Sequence, residues 1–301
     1  MSFCPITVTI PTYRRSEQLL KTLRQIQQCC PRPDEIIVHI DNNDYETGTI
    51  LQQIRSQDRE FADLIIIQNT VQVGPGGGRN LAIARAKNPI VASFDDDSYP
   101  IDSDYFARLL QLFETFPRAA VIGSAIFHQN ETILPDEYTA NWAADFVGCG
   151  CAYRREIFLQ TQGYVPLPLA YGMEETDLSL RLHHLGWGIL QSPWLRVFHD
   201  TRLEHHNNPK ITAASIANQA LLTYLRYPVS LWWLGGVQCV SRVSWLARHQ
   251  RWNGILAGVT SIPGLLQQQH HHRQTVSARS LLSYLQLRRG GTSENPTLEV
   301  P

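Results

Sequence analysis

The sequence predicts an α/β protein with a Rossmann-like, mostly parallel central sheet, helices on both faces, and a helical C-terminal region. In about the first hundred residues, four short apolar segments alternate with three helix-like segments. Polar or acidic residues directly follow several of these apolar segments, which is where ligands bind in parallel sheets. After about Asn208 the alternation gives way to aromatic, helix-like segments, which marks a different kind of structure.

The composition excludes some classes of protein. Of 301 residues, 43% are hydrophobic and 18% are charged, enough apolar material for a sizeable core. Since 26 basic side chains nearly balance 27 acidic ones, we expect no nucleic-acid partner. The N-terminal residues lack a signal-peptide pattern, and the six cysteines have neither metal-type nor disulfide-framework spacing. We therefore expect a cytoplasmic protein with reduced thiols.

The elements of the first half follow from short apolar runs and helical spacing. Strands are predicted at 6–10, 35–41, 64–69 and 89–94, and helices at 16–26, 51–57 and from Gly74 onward. Because parallel strands end at the same edge of a sheet, the segments 11–14, 41 and 95–97 should converge on one crevice.

The second half is less regular. We expect a helix at 105–116, a strand at 119–127, a strand entering a helix at 147–158, a loop, helix and strand over 172–190, and a last strand ending on His199. Two later apolar segments are too interrupted to span a membrane, by Arg226 and Pro228 in the first and by Pro263 in the second, so core helices are predicted. Peripheral membrane contact is the alternative, with these interfacial anchors: Trp232, Trp233, Trp245 and Trp252.

Three consecutive aspartates, Asp95, Asp96 and Asp97, follow the predicted strand 89–94. They could solvate a turn before Pro100, or bind a divalent cation. Mg²⁺ and Mn²⁺ prefer oxygen ligands and keep open positions for phosphates. The position at the ligand edge of the sheet favours a metal site in which Asp97 is best placed to reach the ion.

A second acidic cluster, Glu174, Glu175 and Asp177, begins a predicted helix. Acidic side chains in a first helical turn are favoured by the helix dipole, and Asp177 can pair with Arg181 one turn later. Glu174 or Glu175 remains available as a general base, which requires a carboxylate within reach of the proton it removes.

Further candidates are a histidine and a glycine loop. His199 ends a predicted strand and can serve as a third metal ligand. The loop at 74–80 opens a helix, and with Arg79 it favours a neighbouring anion, although it matches neither a P-loop nor a dinucleotide fingerprint. The cysteines at 149 and 151 and the histidines at 270–272 lack the spacing of a zinc site.

Together these segments resemble family 2 glycosyltransferases, which have the GT-A fold. The matching pieces, in chain order over about residues 3–200, are VTIPTYRR, HIDNND, GPGGGRNLAIARAK, IVASFDDDSYP, VGCGCAYRREIF, GMEETDLSLRLHHLGW and VFHD. The resemblance implies inverting transfer of a sugar from a UDP-, dTDP- or GDP-sugar to the hydroxyl of a sugar or lipid-linked acceptor, with Mn²⁺ or Mg²⁺ as cofactor.

The resemblance also assigns roles to residues. On the nucleotide side it implies Pro11, Tyr13, Arg14, Asp41, Arg79, Asp95 and Asp96, with Asp41 on the base. The implied metal ligands are Asp97, Asp95 and His199. The donor-sugar and acceptor side would include Gly148, Cys149 and Gly150.

The position of the catalytic base departs from the family pattern. Relatives usually have Glu-Asp, whereas this chain has Glu174 followed by Glu175. The aspartate position corresponds to Glu175, which is favoured as the base, and Glu174 stays open as the alternative because glutamate has a longer reach.

The resemblance also implies a domain organisation. Residues 1–208 would form the GT-A catalytic domain, with a nucleotide half at about 1–100 and an acceptor half at about 101–208. Residues 209–289 would form a helical extension, and 290–301 a disordered tail. A role in cell-envelope or exported polysaccharide synthesis, peripheral on the inner face of the cytoplasmic membrane, is expected by analogy.

Rival functions predict other residues. A glycoside hydrolase shares the two carboxylates but has no use for a metal-binding aspartate pair. A sugar nucleotidyltransferase should carry a basic glycine-rich segment after its first strand. An inactive nucleotide-binding or scaffold protein of a polysaccharide assembly should have lost its base or its aspartates.

Overall fold

Four parallel strands form one half of the central sheet in the computed structural model, which describes residues 3–169, 171–201, 208–290 and 298–299. Within these residues the sheet order is β10-β7-β9-β6-β8-β4-β1-β2-β3, and β5 pairs with β9. The strands are β1 (Phe3–Thr12), β2 (Arg32–Ile40), β3 (Ile65–Gln68), β4 (Ile90–Phe94), β5 (Ser98–Pro100), β6 (Ala119–His128), β7 (Thr139–Ala143), β8 (Gly150–Arg154), β9 (Gly188–His199) and β10 (Leu298–Glu299).

The pairing changes direction across the sheet. Strand β1 is parallel to both β2 and β4, and β2 is parallel to β3. Beyond β4, β8 runs antiparallel to β4 and β6, whereas β6 and β9 are parallel. The carboxyl ends of β1, β2 and β4 therefore meet at one edge, as the sequence predicts.

Helices cover both faces of this sheet. They are α1 (Ser16–Gln27), α2 (Tyr45–Gln57), α3 (Gly74–Arg85), α4 (Tyr105–Thr115), α5 (Arg155–Leu159), α6 (Glu174–His184), α7 (Pro209–Arg226), α8 (Trp232–Arg248), α9 (Ile255–Gln269) and α10 (Ala278–Gly290).

Strand β2 shows how one segment serves two cores. Val38 and Ile40 pack into a cluster with Leu23 of α1, whereas Ile37 packs on the opposite face with Ile83 of α3. Successive side chains of a strand point to opposite faces, so a strand covered on both sides reads as a continuous apolar run.

The structure differs from the sequence-based prediction at three points. The segments ending at Leu190 and at His199 belong to one strand, β9, because a register shift opposite β6 between Ser124 and Ala125 absorbs the irregular residues between them. Strands β5 and β7 were not predicted. Helices α8 and α9 are not core helices, because each has two buried residues among its described side chains.

Helix α7, by contrast, is a core helix. Leu221 and Leu225 of α7 pack against Val165 and Met173, which precede α6. Arg226 is fully buried and ion-pairs with Asp177 of α6, which also pairs with Arg181 as the helical spacing predicts. The C-terminal region is therefore joined to the sheet domain through buried contacts.

The end of the chain is described in part. Leu298 and Glu299 pair with Ala140 and Thr139 of β7. Gly290 ends α10, and the rest of the tail predicted to be disordered (residues 291–297, 300 and 301) lies outside the described residues.

Candidate active site

A cavity of about 530 Å³ opens at the carboxyl ends of β1, β2 and β4. This is the crevice that the strand order predicts. Most of its lining residues are of polar types, and they come from segments far apart in the chain. The lining residues are Pro11, Thr12, Tyr13, Arg15, His39, Asp41, Gln72, Gly74, Pro75, Asp95, Asp96, Asp97, Pro168, His199 and Thr201.

The acidic triplet is held by a basic residue and a histidine. Arg15 contacts Asp96 Oδ1 at 2.9 Å and Asp97 Oδ2 at 2.5 Å. His199 Nε2 lies 3.1 Å from Asp97 Oδ1, because β5 pairs with the end of β9 and brings Ser98 opposite His199. Asp96 also accepts a hydrogen bond from the Thr12 hydroxyl at 2.9 Å. Two of the three carboxylates are thus held in fixed orientations.

These contacts separate the pKa values of two adjacent aspartates. Burial raises the pKa of Asp96 to about 7, despite the opposing charge of Arg15. Burial also acts on Asp97, but its hydrogen bonds to His199 and Arg15 outweigh that effect and lower its pKa to about 2. Asp97 is therefore an anion near neutral pH, as a ligand for a cation must be.

The glycine loop and Asp41 form a second wall of the cavity. The Asp41 carboxylate accepts hydrogen bonds from the backbone N–H groups of Val73 at 3.0 Å and Gly74 at 2.9 Å, at the start of α3. Gly78 lies against His39, and a Cβ at this position would come within 2.3 Å of His39 Nδ1. Asp41 therefore caps a helix that faces the cavity.

Arg79 lies behind the cavity rather than in its lining. Its guanidinium ion-pairs with Asp95, donates through Nε to Ser93 Oγ at 2.9 Å, and lies 3.8 Å from Glu174 Oε2. Arg79 also donates to the carbonyl of Gly148 at 3.4 Å. The Arg79 guanidinium therefore lies between Asp95 of the first acidic motif and Glu174 of the second. It was predicted to lie near the nucleotide, but it is not among the residues that line the cavity.

The two candidate bases at the start of α6 have different surroundings. Glu174 is buried, and its Oε1 has no hydrogen-bond partner among the described residues and lies where a Cβ on Gly76 would be. Glu175 Oε1 instead accepts a hydrogen bond from the Gly148 N–H at 3.2 Å. Burial raises the pKa of both, that of Glu174 to about 8. Glu175 contacts the loop at Gly148 that leads to the acidic triplet, whereas the Glu174 side chain is buried in the protein.

The residues around Asp95 fit a divalent cation. Ligand atoms of Asp95, Cys149 and His199 all lie within 4.8 Å of one another, and Asp97 adjoins His199. Burial raises the pKa of the Cys149 thiol well above its ordinary value, which disfavours the thiolate form that binds metal. Oxygen atoms of Asp95 and Asp97 with the His199 imidazole suit Mn²⁺ or Mg²⁺.

The structure brings together most of the residues predicted from the sequence, but Arg15 lines the cavity in place of the predicted Arg14. Arg14 does not line the cavity: its N–H donates to Asp44 at 2.5 Å and its guanidinium lies 5.1 Å from the Tyr13 ring centroid. Its φ of 55° turns the chain so that Arg15 faces the aspartates.

Other residues were missed or lie beside the cavity. Thr12, the last residue of β1, is a polar strand end that the sequence could have identified, whereas His39 lies within a strand and gave no such signal. Gly148 contacts Glu175, and Cys149 contacts His199, so these two residues lie between the two side chains. Gly150 pairs with Phe94 in the sheet, and a Cβ at position 150 would collide with Ile126.

The structure thus combines an α/β fold with an acidic, cation-compatible crevice at its strand ends and a second carboxylate beside it. The profile described as "Glycosyl transferase family 2" matches residues 7–161, about half of the chain. The chain belongs to this family, which confirms the resemblance identified in the sequence.

Two characterised relatives match over shorter segments. A GalNAc(5)-diNAcBac-PP-undecaprenol beta-1,3-glucosyltransferase of Campylobacter jejuni is 32% identical over 92 residues, which are 31% of this chain and 29% of the relative. A poly(ribitol-phosphate) beta-glucosyltransferase of Bacillus spizizenii is 29% identical over 96 residues, 31% of this chain and 15% of the relative. The matches thus span less than a third of either relative.

Solved structures confirm the GT-A fold. The mannosyltransferase PcManGT from Pyrobaculum calidifontis, in complex with GDP-Man and Mn²⁺, has a TM-score of 0.59 and 12% identity, over 96% of this chain and 87% of that one. S. aureus TarS 1-349 in complex with UDP-GlcNAc has a TM-score of 0.57 and 15% identity, over 99% of both chains. At this identity the likeness concerns the fold.

Proposed function

We propose that this protein is an inverting, metal-dependent glycosyltransferase that transfers a sugar from a nucleotide-sugar donor to an acceptor hydroxyl. The observation that carries the proposal is the pairing of two acidic motifs through one loop. Gly148 binds Glu175 through its N–H, and the next residue, Cys149, has its Sγ 3.7 Å from His199 Nδ1, beside Asp97. Direct displacement needs two such groups, one for the leaving group and one for the nucleophile.

Asp95, Asp97 and His199 would hold the cation, Mn²⁺ or Mg²⁺. When bound, a divalent cation stabilises the negative charge that develops on a departing nucleoside diphosphate. Asp97 enters this role already ionised, since its pKa is about 2. Arg15 ion-pairs with both Asp96 and Asp97 and would have to give up at least one of these contacts to an ion or a phosphate group.

Glu175 would act as the general base. An acceptor hydroxyl is a weak nucleophile near neutral pH, so a carboxylate must accept its proton as the new bond forms. Burial raises the pKa of Glu175, which strengthens it as a base while the Gly148 N–H keeps it oriented. The buried Oε1 of Glu174 makes no hydrogen bond to this loop. We therefore assign Glu174 no role in proton transfer.

Support for the substrate classes comes from relatives. Solved neighbours carry UDP-GlcNAc or GDP-Man, which supports UDP- and GDP-sugars among the donor candidates. The names of the two characterised relatives include a lipid-linked glycan and a poly(ribitol-phosphate). We propose a lipid-linked or polymeric acceptor in the synthesis of a cell-envelope or exported glycan.

The test is a thermal-shift panel of UDP, GDP, dTDP and CMP with their sugars, each with and without Mn²⁺. Ligands that bind the native state raise its melting temperature by mass action. One nucleotide should give a metal-dependent shift in the wild type, and Asp97→Asn should lose the metal dependence. If no nucleotide shifts the wild type, the transferase proposal is wrong.

The base is tested with the donor that this panel identifies. Glu175→Gln should lower turnover by at least about a hundredfold while donor binding is kept, because general-base catalysis contributes about that much. Glu174→Gln is the matched control, one residue away with the same chemical change, and should keep most of the turnover. Near-normal turnover in Glu175→Gln would exclude this residue as the base.

A further inference from the structure

The C-terminal helices expose apolar side chains that the proposed reaction does not use. On α8 these are Trp233, Val237 and Val240, and next along the chain Trp252, Leu256 and Val259; we call these six residues the α8–α9 apolar surface. Trp233, Val240 and Leu256 are 63%, 67% and 76% exposed. Positions 233, 237 and 240 share one face of a helix, as do 256 and 259.

Both helices pack on α7 through their opposite sides. Gly235 of α8 lies where a Cβ would collide with Thr223 of α7, and Gly258 of α9 lies in the same way against Ala213. These close approaches fix the inner faces of α8 and α9 against α7 and leave the outer faces exposed. Helix α9 has no charged residue in its 15 positions, and its buried residues are Gly258 and Gln269.

The charge of this region is one-sided. Residues 205–293 contain no Asp or Glu but nine Lys and Arg residues, whereas the other 212 residues hold 17 basic against 27 acidic side chains, a net charge of −10. Of the nine, Arg226 and Arg288 pair with Asp177 and Asp145 of the preceding domain, and the others supply the positive charge of this region. Arg248 and Arg289 are exposed, and the Arg242 guanidinium lies 5.2 Å from the ring centroid of Trp245. Arginine beside tryptophan, without acidic residues, complements a negatively charged surface.

We propose that the α8–α9 apolar surface binds an anionic phospholipid bilayer. Tryptophan rings are suited to the boundary between headgroups and acyl chains, and nearby arginines are attracted to anionic headgroups. The Thr260 hydroxyl already donates its hydrogen bond to the carbonyl of Leu256. This face of α9 therefore offers apolar contacts rather than hydrogen bonds of fixed direction, which suits a fluid lipid layer. Among the described residues, no helix is both long enough and apolar enough to cross a bilayer, and the binding proposed here is peripheral.

The test is vesicle co-sedimentation of the full chain without any nucleotide sugar, so its result does not depend on the proposed transferase activity. Vesicles of phosphatidylcholine with about a third phosphatidylglycerol should bind at least about tenfold more tightly than vesicles of phosphatidylcholine alone. Binding should weaken at about 0.5 M salt, which screens charges beyond a few ångströms.

Two double variants locate the surface. Trp233→Gln with Leu256→Gln should weaken binding to anionic vesicles at least about tenfold, because it removes two apolar anchors. Ile133→Gln with Leu134→Gln is the matched control, since these exposed apolar residues lie in a loop between β6 and β7. Both variants should keep the wild-type melting temperature.

Three results would overturn the proposal. The first is absence of wild-type binding to anionic vesicles, and the second is equal weakening by both double variants. The third is self-association of the wild type in sedimentation velocity that the Trp233 and Leu256 changes abolish, with no vesicle binding. That last outcome would show that a second copy of the chain covers this surface.

Discussion

At the scale of single residues, Glu174 and Glu175 show how two identical, adjacent side chains in one helical turn can have different surroundings. The Glu175 carboxylate is oriented by the Gly148 N–H, whereas Glu174 Oε1 is buried against Gly76. Burial, together with the nearby charges of Glu175 and Asp95, favours the protonated form of Glu174 despite the Arg79 guanidinium 3.8 Å from Oε2. Glu174 therefore belongs to the packing of α6 against the glycine loop, which also explains why position 76 needs a glycine.

This burial predicts a pH-dependent stability. The pKa of Glu174 is raised from an ordinary 4.5 to about 8, so the folded state binds its proton more tightly than the unfolded state. The stabilisation is complete below pH 4.5 and is lost as the pH rises through about 8. The free energy of unfolding of the wild type should fall relative to that of Glu174→Gln by more than about 1 kcal/mol between those limits, then level off.

Urea unfolding of both proteins at intervals across this pH range measures the difference. The glutamine variant is the control for the wild type, because the glutamine side chain has nearly the shape of protonated glutamic acid and does not titrate. If the two unfolding free energies stay parallel throughout, Glu174 is ionised in the folded protein and the description of its surroundings is wrong.

The sequence identified about half of the residues that line the crevice, because strand-end positions can be recognised from apolar runs. It did not distinguish Arg14 from Arg15. Their difference depends on a single positive φ at Arg14, and no pattern of residue types specifies that angle at an arginine. Arg79 was recognised as an anion partner, but its partners are carboxylates of the protein.

At the scale of elements, α6 is attached to α7 by a buried cluster of charges. Arg226 contacts Asp177 through Nε and through Nη2, the latter at 3.2 Å, and its Nη1 donates to the carbonyl of His272 at 2.8 Å. Arg181 contacts the same carboxylate at 2.6 Å. This cluster fixes the helix whose first turn carries Glu175.

Arg226→Met should destabilise the protein by about 3–5 kcal/mol, because it removes one partner of a buried ion pair. Arg248→Met, on the exposed end of α8, is the matched control and should change the free energy of unfolding by less than about 0.5 kcal/mol. Chemical denaturation of both variants measures these values. A cost below about 1 kcal/mol for Arg226→Met would mean that water replaces the guanidinium at Asp177.

Elements with their own local signal were predicted well, and those that depend on distant partners were not. The Asp177–Arg181 pair follows from helical spacing, but Arg226 lies 49 positions beyond Asp177 and nothing local connects them. Strand β9 was divided in two because its register shift is set by β6 rather than by its own residues.

At the scale of the whole molecule, the family resemblance ends near residue 200, but the packed interior does not. One apolar cluster joins Val165 and Met173 to Leu221 of α7, and another joins Leu180 of α6 to Tyr284 of α10. The sequence predicts residues 209–289 as a separate extension, since these helices lack the alternating pattern of the sheet domain. Some of their buried partners, Val165, Met173 and Leu180, lie in the preceding domain, which a pattern within the extension cannot reveal.

We therefore expect the chain to unfold as one cooperative unit and a chain ending at residue 208 to be unstable. Truncation would leave Asp177 without Arg226 and expose Leu180, Met173 and Val165 to water. Each fully buried apolar side chain contributes about 1.5–3 kcal/mol, so the sum approaches the whole stability of an ordinary domain.

Differential scanning calorimetry of the full chain should show a single transition whose calorimetric and van't Hoff enthalpies agree, which is the mark of a two-state process. A chain ending at Gly290 keeps α10 and is the control for loss of length; it should melt within a few degrees of the full chain. A chain ending at residue 208 that still melts cooperatively near the full-chain temperature would contradict the prediction of one cooperative unit. The helices would then be an independent domain, and Arg226 could not be what positions α6.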